Sequence, residues 1–154
     1  MLKKLAGLIW RSLPRFVRAK TIRLTQDKFT VSVAAVITNE EGKVLLLEHV
    51  FRPASGWGIP GGFVEHGEQP EKAIRREIEE ETGLSLENIE FYRARILKKH
   101  VEFIFEAQTK GAGEVRSREI LTVEWFVRDD LPELMSTAQK ATIEEVLAAK
   151  EKKS

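Results

Sequence analysis

The chain has no cysteine among its 154 residues, which excludes disulfides, thiolate zinc sites and cysteine nucleophiles. It also lacks any apolar run near the ~20 residues that a membrane-spanning helix requires. Its three histidines, His49, His66 and His100, are scattered without metal-ligand spacing. The apolar stretch from Leu5 to Trp10 is short, and Arg11, Arg15 and Arg18 follow it closely. A secretory signal is therefore a poor reading, and the cytoplasm is the expected location. Internal repeats and low-complexity tracts are absent. Acidic residues are missing from the first 26 positions, whereas Lys3, Lys4, Arg11, Arg15, Arg18, Lys20 and Arg23 all fall there. The remainder holds eighteen basic against twenty-four acidic residues, a balance of −6 beneath an overall net charge of +1.

That imbalance divides the chain into a basic amphipathic segment, residues 1–26, and one catalytic-sized domain, residues 27–150. In the first segment Leu2, Leu5, Leu8, Ile9, Leu13, Phe16 and Val17 recur at helical spacing, with an interruption at Pro14. Packing on the domain or a homodimer contact is the plainest use of such a helix; RNA or an anionic membrane surface is the alternative. In the domain, 29–38 and 43–50 read as strands joined by an Asn39–Gly42 turn, hence a hairpin. Segments 91–97, 101–108 and 121–127 are further strands, and 134–150 is a helix that buries Ile143, Val146 and Leu147. Trp57 to Phe63 is a tight approach in which Gly61 and Gly62 let the backbone come close to a ligand or metal. Strands mixed with a few helices predict an α+β or mixed α/β sandwich.

Residues 62–84 carry the strongest signal. Pro70 suits a first helical position, where its missing N–H costs nothing. From Glu71 to Glu81 no glycine or proline intervenes, and Gly83 is placed to end the helix in a left-handed conformation. Ala73, Ile74 and Ile78 make an apolar stripe. Glu77, Glu80 and Glu81, related by i, i+3 and i+4, are expected on one neighbouring face. Like charges at that spacing repel. A hard dication such as Mg²⁺ or Mn²⁺ removes the penalty, because it prefers carboxylate oxygens and retains places for substrate phosphate.

The run Gly62-x5-Glu68-x7-Arg76-Glu77-Ile78-x-Glu80-Glu81-x-Gly83-Leu84 resembles the Nudix box at every defined position. The resemblance implies an α/β/α sandwich with a mixed sheet. It also implies a Mg²⁺-dependent hydrolase that cleaves the diphosphate linkage of a nucleoside diphosphate joined to another moiety. It further implies that Glu77, Glu80 and Glu81 hold metal, that the Gly62 carbonyl adds to them, and that Glu68 and Arg76 form an orienting ion pair. One of Glu77, Glu80 and Glu81, or a loop glutamate, would position or deprotonate the attacking water. Glu119, shortly before the last strand, is the best loop candidate; Glu114 and Glu124 are weaker. Arg52 is placed to clamp phosphate and Trp57 to stack on a base.

Markers of the ADP-ribose, dinucleoside polyphosphate, coenzyme A and NADH hydrolase subgroups are not matched. Isopentenyl-diphosphate isomerase chemistry is disfavoured by the lack of cysteine. Two alternatives stay open. One is a nucleotide-sensing module without hydrolysis; the other is a hydrolase directed to RNA ends or a membrane by its basic segment.

Overall fold

The computed structural model describes residues 2–51 and 56–152. The basic segment forms two helices, α1 (Leu2–Ser12) and α2 (Arg15–Thr25), separated at Pro14. That residue cannot continue a helix through its own position. The sheet follows: β1 (Thr30–Thr38), β2 (Val44–His49), β3 (Trp57–Gly58), β4 (Gly61–Phe63), β5 (Glu87–Leu97), β6 (His100–Gln108) and β7 (Ile120–Phe126). Helix α3 (Pro70–Thr82) stands between β4 and β5, and α4 (Thr137–Glu151) follows β7.

The strand order is β3-β2-β1-β6-β5, with β4 also paired to β1 and β7 to β2. β1 runs parallel to β6 along its whole length, from Thr30 opposite His100 to Thr38 opposite Gln108. The remaining pairings are antiparallel. The sheet is therefore mixed, as expected.

Alternation along the strands sorts apolar side chains to two faces. Val33, Ala35, Ile37, Leu45 and Leu47 pack with Ala73, Ile74 and Ile78 of α3. Ala34, Val36, Val44 and Leu46 pack with Met135 and with Ile143, Val146 and Leu147 of α4. One helix on each face makes the α/β/α sandwich.

Several boundaries differ from the sequence reading. The Asn39–Gly42 turn forms, with the Asn39 side chain accepting from the Glu41 and Lys43 N–H groups. Yet the hairpin closes only at Thr38 opposite Val44. Farther along, β4 pairs with Ser32, Val33 and Ala34 of β1, while β2 turns to β7. The local turn signal was right; a segment from the site loop captured the rest of the strand edge. The expected approach of Trp57 to Phe63 thus contains two short strands. β5 begins at Glu87 rather than 91, and α4 begins at Thr137, leaving Leu134 outside it and 72 % exposed.

Candidate metal and phosphate site

Two glycines fix how closely β4 approaches its neighbours. A side-chain carbon on Gly61 would lie 2.1 Å from the Val33 carbonyl oxygen, and Gly61 has φ +154°. A carbon on Gly62 would lie 2.2 Å from the Glu77 carboxylate carbon. The bare backbone of Gly62 thus lies directly beneath that carboxylate. No other residue type leaves this space open.

Helix α3 delivers the carboxylates. Pro70 begins it, and Gly83 ends it at φ +69° with its N–H donating to the Glu79 carbonyl. Both boundaries follow from the sequence. The three glutamates do not share a separate face, however. Glu77 follows Ala73 by four residues and Ile74 by three, and Glu81 follows Ile74 by seven. Helical spacing therefore puts these two on the buried stripe. Glu77 retains 16 % of its side-chain exposure and Glu80 61 %, while Glu81 is only 8 % exposed as a residue.

Arg76 is the hub. Its Nε and Nη2 donate to the two Glu68 carboxylate oxygens at 3.0 and 2.9 Å. Nη1 donates to Glu77 at 2.9 Å and to Glu80 at 3.3 Å. Nη2 also reaches the Phe63 carbonyl at 3.1 Å. Glu68 further accepts the Glu65 N–H. A fork-shaped guanidinium can serve all of these at once. The expected orienting pair is formed, and it ties the loop after β4 to the middle of α3.

The electrostatics divide accordingly. Hydrogen bonds from Arg76, and then from the Glu65 backbone, hold the Glu68 carboxyl below its ordinary pKa. Burial pushes Glu77 above its ordinary value, against the opposing pull of Arg76. Glu77 is therefore a carboxylate short of positive charge.

Among the described residues no three His, Asp or Glu side chains converge as they stand on a metal position. Glu77 and Glu80 meet instead at Arg76 Nη1. The donor set still suits a hard cation. It is all oxygen, Glu77 is destabilised as an anion by its burial, and Gly62 leaves its backbone unshielded beside it.

The remaining candidates are dispersed. Glu119 sits in the turn before β7, where its carbonyl accepts the Val50 N–H. Its side chain is exposed and forms no hydrogen bond or ion pair among the described residues. Trp57 packs edge-on to Phe126, ring centroids 5.1 Å apart, on the α4 side of the sheet. Arg52 lies outside the described residues.

Sequence reading missed a polar cleft beside Gly62. Its volume is about 190 Å³, and Ser32, Ile59, His100, Glu102 and Gln139 contribute to its walls. The His100 ring bridges the hydroxyls of Thr30 and Ser32 at 2.7 and 2.8 Å. The Gln139 side chain accepts the Ile59 N–H at 3.1 Å. These residues come from β1, the β3–β4 link, β6 and α4, and only the parallel β1–β6 register brings Ser32 and His100 together. No local spacing could have signalled them.

The NUDIX domain model matches residues 28–147. A MutT-like protein of Streptomyces ambofaciens is 34% identical over 111 residues, covering 70% of each chain. An 8-oxo-dGTP diphosphatase of Haemophilus influenzae is 36% identical over 99 residues, 60% of this chain and 73% of its own. The crystal structure of a MutT NUDIX hydrolase from Burkholderia pseudomallei superposes with a TM-score of 0.67 at 31% identity, covering 77% of this chain and 98% of its own. With its intact carboxylate helix, its mixed sheet between two helices and this extent of similarity, the chain belongs to the Nudix hydrolase family, enzymes that act on acid anhydrides.

Proposed function

We propose that this protein hydrolyses the diphosphate linkage of a nucleoside diphosphate joined to a further group, using Mg²⁺ or Mn²⁺. The observation that carries the reading is the position of Gly62. Its backbone lies beneath the Glu77 carboxylate and also lines the polar cleft. A substrate seated there would extend from a polar recess to a cluster of carboxylates. The diphosphatase among the relatives supports the same reaction class.

Glu77, Glu80 and Glu81, with the Gly62 carbonyl, are the residues to hold the cation. When bound, the cation neutralises charge that builds on the phosphate and eases loss of a proton from water. Arg76 positions Glu77 and Glu80 and is itself anchored by Glu68. Glu119 is proposed as a further ligand or water-activating base, Arg52 as a phosphate clamp and Trp57 as a base-stacking surface. His100, Ser32 and Gln139 offer hydrogen bonds to the nucleoside end.

The test is a nucleotide panel with product identification in Mg²⁺ and in Mn²⁺. Release of a nucleoside monophosphate or of phosphate from at least one compound is expected. Glu80→Gln should abolish nearly all turnover while the protein stays folded, since Glu80 is exposed. A fully active Glu80→Gln protein excludes the assignment. Tight nucleotide binding without turnover in any divalent metal would move the reading to a sensing module.

A further inference from the structure

Among the described residues the apolar face of α1 has no cover. Among the described residues from 3 to 30 none is buried. Leu5, Leu8 and Ile9, at i, i+3 and i+4, keep 59, 62 and 57 % of their exposure. Lys4 and Arg11, four residues before and three after Leu8, flank the apolar face and, with Lys3 and Leu8, line a notch at Gly7. Trp10, seven residues after Lys3, stands with it on the far side of the helix at 38 % exposure. The helix past Pro14 has a different design. Phe16, Val17, Ile22 and Leu24 of α2 scatter around its axis among Arg15, Arg18, Lys20 and Arg23. α2 is thus a carrier of charge more than of an apolar stripe.

We propose that α1 lies in the headgroup region of an anionic lipid bilayer. Its Leu5, Leu8 and Ile9 face enters the acyl boundary, and its cations, with those of α2, stand against lipid phosphates. Charge complementarity selects this occupant. The segment before Asp27 carries seven basic residues and no acidic one, so every charge in it is attracted to such a surface. The rest of the chain, at −6, is repelled and held facing the aqueous side.

An 11-residue helix is ~16 Å long, about half the ~30 Å hydrocarbon core. It can lie in the interface but cannot cross it. Nucleic acid would use the cations and leave Leu5, Leu8 and Ile9 in water. A symmetric pairing of α1 with a second copy would cover the apolar face but bring the flanking Lys4 and Arg11 toward their like. The proposal is independent of the hydrolase reading, because it concerns binding alone.

The experiment is co-sedimentation of the full chain with vesicles of phosphatidylcholine, alone or mixed with phosphatidylglycerol. Partition into the anionic vesicles should exceed that into the neutral ones by about tenfold or more and weaken as salt is raised. Leu8→Glu and Lys4→Glu should each reduce it by about tenfold without altering the thermal melt, since both side chains are exposed. Absent or equal partition into the two vesicles overturns the proposal. So does partition that survives Leu8→Glu, which would leave the apolar face without a role. Tighter binding to single-stranded RNA than to the anionic vesicles, insensitive to Leu8→Glu, assigns the cations to nucleic acid and also overturns it. A lipid-free dimer that Leu8→Glu dissociates assigns the face to a second copy, with the same result.

Discussion

Helices α1 and α3 are written in the same pattern and meet opposite fates. Each carries apolar residues at helical spacing among charged ones, three basic and no acidic in α1, five acidic and three basic in α3. In α3 the stripe of Ala73, Ile74 and Ile78 is completely buried, and Glu77 and Glu80 meet Glu68 of the preceding loop at Arg76. In α1 the stripe of Leu5, Leu8 and Ile9 stays in solvent, and no acidic residue is near in sequence to answer its cations. Periodicity therefore predicts that a helix has two faces, but not what will cover the apolar one. The cover is decided by the partner surface, which for α3 is the sheet.

The sharpest way to test that contrast is to truncate one residue in each stripe. Ile78→Ala should cost about 2–5 kcal/mol, because the site lies between α3 and the sheet and cannot fully collapse. Leu8→Ala should stay within about 0.5 kcal/mol of the parent, as an exposed substitution does. Chemical denaturation of both variants measures the difference. If Leu8→Ala proved as costly as Ile78→Ala, α1 would be packed in solution and the contrast would be lost.

Neighbouring glycines give a second contrast, between a backbone obstacle and a side-chain obstacle. Gly61→Ala drives its new carbon against the Val33 carbonyl oxygen, which the β1–β4 pairing holds in place. A loss of about 1–3 kcal/mol is expected. Gly62→Ala first meets the carboxylate end of Glu77, a side-chain terminus that can swing aside. Its melting temperature should change little, and its turnover should collapse. Equal effects of the two substitutions on stability would break the distinction.

Much of the α3 region was legible because its signals are local. Pro70, the unbroken helix formers and Gly83 fix both ends of the helix, and Glu68 and Arg76 are close enough in sequence to be paired by pattern. What escaped was non-local or rotameric. The cleft residues Ser32, His100 and Gln139 meet only through the β1–β6 register and the docking of α4. The short β1–β2 hairpin reflects competition from β4 for one strand edge, which no turn signal reveals. The burial of Glu81 was in principle readable from its seven-residue spacing to Ile74, but the like-charge pattern drew attention from it.

Arg76 joins both halves of the carboxylate cluster, so Arg76→Lys should uncouple them. One ammonium cannot donate in parallel to Glu68 and also reach Glu77, Glu80 and the Phe63 carbonyl. As a positioning residue beside proposed ligands, Arg76 should cost about 10–100-fold in metal affinity or turnover when replaced by lysine. Calorimetric titration of metal against both proteins separates that loss from a folding defect. Unchanged metal affinity would confine Arg76 to holding the loop.

The smallest effect tests the electrostatic division within the cluster, and its sign is the point. Glu68 has its pKa lowered by Arg76 and the Glu65 N–H. Its ionised form therefore contributes stability above the unfolded pKa, and that contribution is lost as pH falls through the lower folded value. Glu68→Gln should melt below the parent at neutral pH. The gap should begin to narrow near the ordinary glutamate pKa of ~4.3 and close only below the folded value. Glu77 is shifted the other way, chiefly by burial. Its charge is a net cost to the folded protein at neutral pH, and protonation removes that cost as pH falls toward and below the unfolded value. In chelator, Glu77→Gln should therefore melt no lower than the parent at neutral pH and gradually lose any advantage in acid. Melting curves across the acid range, free of divalent metal, compare the two directly. Equal destabilisation by both substitutions would mean that Glu77 is satisfied by Arg76 alone, and the case for a cation at that carboxylate would lose its electrostatic basis.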